Sequence, residues 1–79
     1  MITVKLMSDM YLYSPTGENT LMIAHPVKNL REVLDAIKLT GEEVGLVIIN
    51  GEVQPLNRGL EIPIQDRAVI EIYPFIGGG

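Results

Sequence analysis

The apolar and polar positions of the chain change period twice. Ile2-Thr3-Val4-Lys5-Leu6 alternates, the pattern of a half-buried strand with Ile2, Val4 and Leu6 facing inward. Thr20-Leu21-Met22-Ile23-Ala24 predicts a second strand, antiparallel to the first. His25-Pro26 ends it, because a residue before proline avoids the helical region and proline has no N–H for a ladder. Between them, Ser14-Pro15-Thr16-Gly17 marks a turn. Tyr11, Leu12 and Tyr13 in the same segment are expected as core or edge covers rather than as a ligand platform. The period then becomes helical. Leu30, Val33, Leu34 and Ile37 fall at i, i+3, i+4 and i+7, one apolar stripe on a helix over about 29–40. Asn29 is the expected cap and Glu32 the far side of a capping box. Lys38 suits the negative end of the helix dipole, and Gly41 is the expected left-handed residue beyond it.

Strand patterning then returns. Val44 to Ile49 is apolar almost throughout, as in a strand with little exposed surface. Asn50-Gly51 predicts a type I′ hairpin into Glu52-Val53-Gln54, which Pro55 stops. Glu42-Glu43 before it reads as a solvated acidic pair. Leu56 to Asp66 predicts a loop tacked down by Leu60, Ile62 and Ile64. Ala68 to Tyr73 is the last strand, with Ile70 and Ile72 on one face, Val69, Glu71 and Tyr73 on the other, and Pro74 at its end. Strand, strand, helix, strand, short strand, loop, strand is an α+β order. The first and last strands are expected side by side and parallel in the middle, which the long helical crossover permits. That is the β-grasp architecture: a mixed four- to five-stranded sheet with one main helix on one face. The other face would be open, and Val69, Phe75 or Met7 there would form a docking surface. Residues 1–74 form the expected domain, and 75–79 a flexible glycine tail.

Composition narrows the chemistry. The chain has 79 residues, is 47% hydrophobic but only 5% aromatic, and lacks cysteine. Ile, Leu and Val must build the core, and there is no disulfide, thiolate metal site or cysteine nucleophile. A net charge of −4 weighs against nucleic acid. It suits a basic protein partner as well as plain solubility. With no leader-like or long apolar stretch, the expectation is a cytoplasmic protein without membrane contact. His25, the single histidine, is expected to be structural. No phosphate-cradling glycine loop, nucleophile–base pair or metal cluster stands out, so an enzyme is not expected. What remains is Ile76-Gly77-Gly78-Gly79, following a dense apolar run. A tail without Cβ atoms passes through channels too narrow for other residues, and from Pro74 it reaches about 20 Å. A frayed terminus or cloning remnant is the competing reading.

The order of elements, Glu43-Val44-Gly45-Leu46-Val47-Ile48-Ile49-Asn50-Gly51, and the ending Val69-Ile70-Glu71-Ile72-Tyr73-Pro74-Phe75-Ile76-Gly77-Gly78-Gly79 resemble the MoaD/ThiS sulfur-carrier proteins over essentially the whole chain, which implies a ubiquitin-like β-grasp. Two features depart from the family pattern: Gln65-Asp66-Arg67 stands where an Asp-Gly-Asp type turn is usual, and Gly77 precedes the diglycine. The resemblance implies that an E1-like adenylating enzyme, using ATP and magnesium, activates the carboxylate of Gly79. A sulfur donor would then convert the anhydride to a thiocarboxylate. Gly77 and Gly78 would thread into the partner, and Phe75, Ile76 and Tyr73 would dock at the channel mouth or simply pack on the open sheet face. The chain itself would bind no cofactor or metal. The segment Tyr11 to Asn19 makes it longer than the shortest thiamin-type carriers, nearer the small subunit of molybdopterin synthase. The large subunit of that synthase, or a thiazole synthase, would be the final partner. A modifier conjugated to lysines and an interaction module with an inert tail are the other readings.

Overall fold

The computed structural model describes residues 1–54 and 56–75. Five strands, β1 (Ile2–Leu6), β2 (Thr20–Ile23), β3 (Val44–Ile49), β4 (Glu52–Gln54) and β5 (Val69–Pro74), form one sheet in the order β2-β1-β5-β3-β4. β1 and β5 are parallel, with Val4 opposite Ile70 and Leu6 opposite Ile72; every other pairing is antiparallel. This is the expected β-grasp. β5 sits centrally because its alternation supplies Ile70 and Ile72 to the core, both fully buried. The single α-helix, α1 (Leu30–Ile37), buries Leu30, Val33, Leu34 and Ile37. Together with Ile2, Val4, Leu6 and Val47 these residues make one continuous core. The Asn50-Gly51 hairpin forms with φ of 50° and 83°, the two positive values that a type I′ turn requires. Asn50 also fixes the start of β5, since its side-chain Oδ1 accepts from the Val69 N–H at 2.9 Å.

The ends of α1 differ from expectation. Asn29 caps it, Oδ1 accepting from the Glu32 N–H at 3.0 Å. The Glu32 carboxylate, however, accepts from the Lys28 N–H at 2.9 Å rather than from Asn29. Asn29 instead forms a bridge with Pro63, flanked by Leu30 N–H to Ile62 O and Ile64 N–H to Lys28 O, both 2.9 Å. This stitch holds the loop to the helix and buries Ile62 and Ile64 as expected. Replacing Asn29 with alanine should cost about 0.5–2 kcal/mol, read as a lower urea midpoint, with Asn29→Asp largely restoring it. At the other end α1 stops at Ile37. The left-handed residue is Lys38, φ 60°, not Gly41. The Leu39 N–H donates to Leu34 O at 2.9 Å, closing a Schellman turn. That turn buries Leu39, and its burial offsets the strain of a left-handed lysine. Gly41 opens a short 3₁₀ turn, Gly41–Glu43.

Two further expectations are corrected. The segment after β1, expected to cover the core or a sheet edge with Tyr11, Leu12 and Tyr13, opens with a 3₁₀ helix, Ser8–Tyr13. Its core residue is Met10, fully buried, whereas Tyr11, Leu12 and Tyr13 are exposed. Of the four side chains from Met10 to Tyr13, only Met10 reaches the core. β3 is less enclosed than its composition suggests, with Leu46 36% exposed, because the register puts Leu46 beside Tyr73 on the sheet face opposite α1. Pro74 ends β5 as expected, as its last residue and paired with Val44. Where the family's Asp-Gly turn is missing, Arg67 takes the left-handed conformation, φ 66°, and Asp66 Oδ1 accepts from its N–H at 3.0 Å. Asp66 also receives the Met1 ammonium at 2.7 Å. That hydrogen bond first, and the ammonium charge second, hold the Asp66 carboxyl below its ordinary range. A depressed folded-state value adds stability above the unfolded value, about pH 4, and loses it as pH falls through the folded one. Asp66→Asn should therefore lower the melting temperature slightly at neutral pH, by an amount that shrinks as pH falls below about 4.

Candidate functional site

The site is the place where the chain leaves the sheet. β5 is flanked on both sides up to its end. The Met7 N–H donates to Ile72 O at 2.8 Å on the β1 side. On the β3 side Tyr73 lies opposite Leu46 and Pro74 opposite Val44. Pro74 has no N–H, so the last backbone donor described is that of Phe75, which bonds Glu43 O at 3.1 Å. Glu43 is thus more than a solvated acid. It is half-buried, it takes a hydrogen bond from the Thr40 hydroxyl, and its carbonyl anchors the root of the tail.

Between Val44 and Leu46 the register slips by one residue, so Gly45 is the extra residue of a bulge. A Cβ on Gly45 would stand 2.6 Å from Phe75 Cα and 2.7 Å from the Pro74 carbonyl carbon. The two backbones therefore touch where β5 ends. Gly45 stands isolated inside the apolar run 44–49, the kind of position at which another backbone comes close.

Beside the exit lies a groove of about 460 Å³, lined by Ser8, Asp9 and Tyr13 from the 3₁₀ helix and by Tyr73, Pro74 and Phe75. Of the predicted docking residues, Phe75 is 66% exposed and Tyr73 is half-buried. The Tyr73 hydroxyl donates to Glu71 Oε1 at 3.2 Å. Loss of hydration, then this bond and the carboxylate charge, push its phenol above the ordinary value, so it stays a donor at physiological pH. Ser8, Asp9 and Tyr13 carried no sequence signal for this position, because a 3₁₀ helix shows neither helical nor strand periodicity. Ile76, Gly77, Gly78 and Gly79 lie outside the described residues.

The open face of the sheet, set by the register, presents Met22, Thr3 and Val69 in one row, Lys5, Glu71, Ile48 and Val53 in the next, and Tyr73 with Leu46 in a third. Met22, Leu46 and Val53 are exposed, while Val69 and Met7 are half-buried. His25 lines a second groove with Met1, Ala24, Pro26 and Asp66, at the start of β1 and so at the opposite end of the sheet from Phe75. Among the described residues no group of three acidic, histidine or cysteine side chains could hold a metal ion. Nor is any described helix long and apolar enough to cross a membrane.

A protein-family model described as the ThiS family matches residues 13–79, through the glycine run. Neither a curated protein nor a solved structure matches the chain.

Proposed function

The chain belongs to the ThiS family, and on that premise we propose that it is a sulfur carrier loaded at Gly79 and serving molybdopterin synthesis. Members of this family are small carriers, not enzymes, that work with E1-like activating enzymes and sulfur-transfer partners. The observation that carries the reading is the match itself, which extends over Gly77-Gly78-Gly79. A carboxylate is a poor electrophile. The E1-like partner, with ATP and magnesium, would join AMP to the Gly79 carboxylate and release pyrophosphate. A sulfur donor would then attack the acyl carbon, expel AMP and leave a thiocarboxylate.

The chain's own part is mechanical. The sheet and the Glu43–Phe75 hydrogen bond fix the tail root. From Phe75 the four remaining residues reach at most about 14 Å, which sets how close the body must dock to the reacting centre. Phe75, Tyr73 and Tyr13 around the groove, with Ile76 next in sequence, would make the contact at the channel mouth, where an aromatic anchor contributes most. The molybdopterin assignment draws on the segment between β1 and β2. It holds a 3₁₀ helix and a turn, and the family match begins inside it, at Tyr13.

Incubation with the E1-like enzyme of the same genome, ATP and sulfide should yield protein with one oxygen replaced by sulfur, seen by intact mass spectrometry. If that species never forms, the carrier reading fails. Recovery of the stable partner then divides the pathways: a synthase large subunit supports the molybdopterin branch, and a thiazole synthase replaces it with the thiamin branch. Gly-Gly remnants on lysines of other proteins would mark a modifier instead.

A further inference from the structure

We propose that Gly45 is a positioning residue for the tail. Its missing side chain lets the β3 bulge close on Pro74 and Phe75, and that closure sets the direction in which the glycine run leaves the sheet. This rests on the carrier reading and adds a residue to it that lies thirty positions from the tail in sequence.

The observations converge on one contact. Gly45 is not in the left-handed region, so its backbone conformation is open to any residue and space alone demands glycine. The atoms that a Cβ would meet are backbone atoms of Pro74 and Phe75, which cannot swing aside as the end of a flexible side chain can. Ordinary carbon contacts begin near 3.5 Å, so alanine would force the two strands apart by roughly 1 Å. Immediately before Gly45, Val44 pairs with Pro74 and Glu43 O holds the Phe75 N–H. The separation would therefore open the last hydrogen bond before the tail. The rest of β5 is secured elsewhere, by β1 along Val69–Ile72 and by β3 from Leu46 to Ile49. A displacement at Gly45 thus moves the exit and leaves the body in place. An acyl group delivered about 1 Å out of line reacts as much as a hundredfold more slowly.

The test compares wild type and Gly45→Ala in ATP–pyrophosphate exchange with the E1-like enzyme of the same genome, varying carrier concentration, alongside amide hydrogen exchange. The expected result is a folded variant in which the Phe75 amide loses protection while Val4 and Ile70 keep theirs. Its kcat for activation should fall about 10- to 100-fold because delivery of the acyl group is out of line, and KM should change much less, because Tyr73 and Tyr13 keep their docking positions while Phe75 shifts. A variant with wild-type kcat, or one in which only KM rises, overturns the proposal. Should Gly45→Ala fail to fold, replacing the Phe75 amide by an ester removes the N–H that Glu43 accepts and keeps every side chain. That protein must show the same loss of kcat, and wild-type kcat overturns the proposal. Absence of exchange with wild type would instead refute the carrier reading itself.

Discussion

Deleting Gly78 and Gly79 is expected to abolish sulfur loading while leaving the melting curve of the domain unchanged. The second half follows from where the core lies. Every buried apolar residue described falls between Ile2 and Ile72, and Phe75 is two-thirds exposed. Removing residues beyond it therefore takes no described contact from the sheet or from α1. The first half is a matter of reach. A carboxylate still ends the shortened chain, now on Gly77, so the chemical group survives. It stands about 7 Å short of its former limit. A displacement of about 1 Å can already cost a hundredfold, so this shortfall takes the acyl carbon out of the reaction altogether. Gly79→Ala keeps the length and adds one methyl, and should give a graded decline rather than a complete loss. Intact mass after incubation with the E1-like enzyme, ATP and sulfide reads both variants. A truncated protein that still gains sulfur, or one that restores function in cells lacking the gene, would leave the inert-tail module as the surviving reading.

The parts of this fold that were legible in the sequence are those in which one local rule decides. Ile2, Val4 and Leu6, or Leu30, Val33, Leu34 and Ile37, declare a face by period alone, and the structure buries all seven. Asn50-Gly51 declares its turn because few other pairs tolerate two positive φ values. From those elements the pairing of β1 with β5 follows by handedness and connection length. What was not legible depends on two distant segments meeting. Gly41 is the better left-handed residue by local preference, yet Lys38 takes that role because Leu39 then reaches the core. Met10 sits among three more conspicuous apolar residues, and nothing in Ser8–Tyr13 says which of the four turns inward until the end of β5 lies over it. The candidate site divides in the same way. The glycine run is visible by composition, and Phe75 by its place before it. The hold on its root is formed by a carbonyl at Glu43 and a missing Cβ at Gly45, neither of which is a side-chain feature. Residue composition singles out the glycine run, and the backbone at Glu43 and Gly45 fixes Phe75, the last described residue before it.

Leu34→Ala is expected to be among the most damaging single changes to the fold. Leu34 is 2% exposed on the buried stripe of α1, and its carbonyl accepts from Leu39 in the turn that ends the helix. Alanine keeps the helical backbone and that hydrogen bond, so the loss is one of packing: the transfer energy of the missing carbons and the cavity they leave. Such truncations cost about 2–5 kcal/mol. A short α1 pressed on a single sheet face has little freedom to collapse into the space, because Asn29 and Pro63 pin its start and Leu39 its end. The cost should therefore lie toward the upper part of that range. Domains of this size lose about 4–8 °C per kcal/mol, so calorimetry should show a fall of at least about 8 °C. A fall of only one or two degrees would mean that the helix stripe is not the keystone of the core. Leu34→Met, which conserves volume, should recover most of the loss. Sulfur loading per folded molecule should stay at the wild-type level in both variants at low temperature, because the tail root is anchored to β3 and to the Gly41–Glu43 turn rather than to α1.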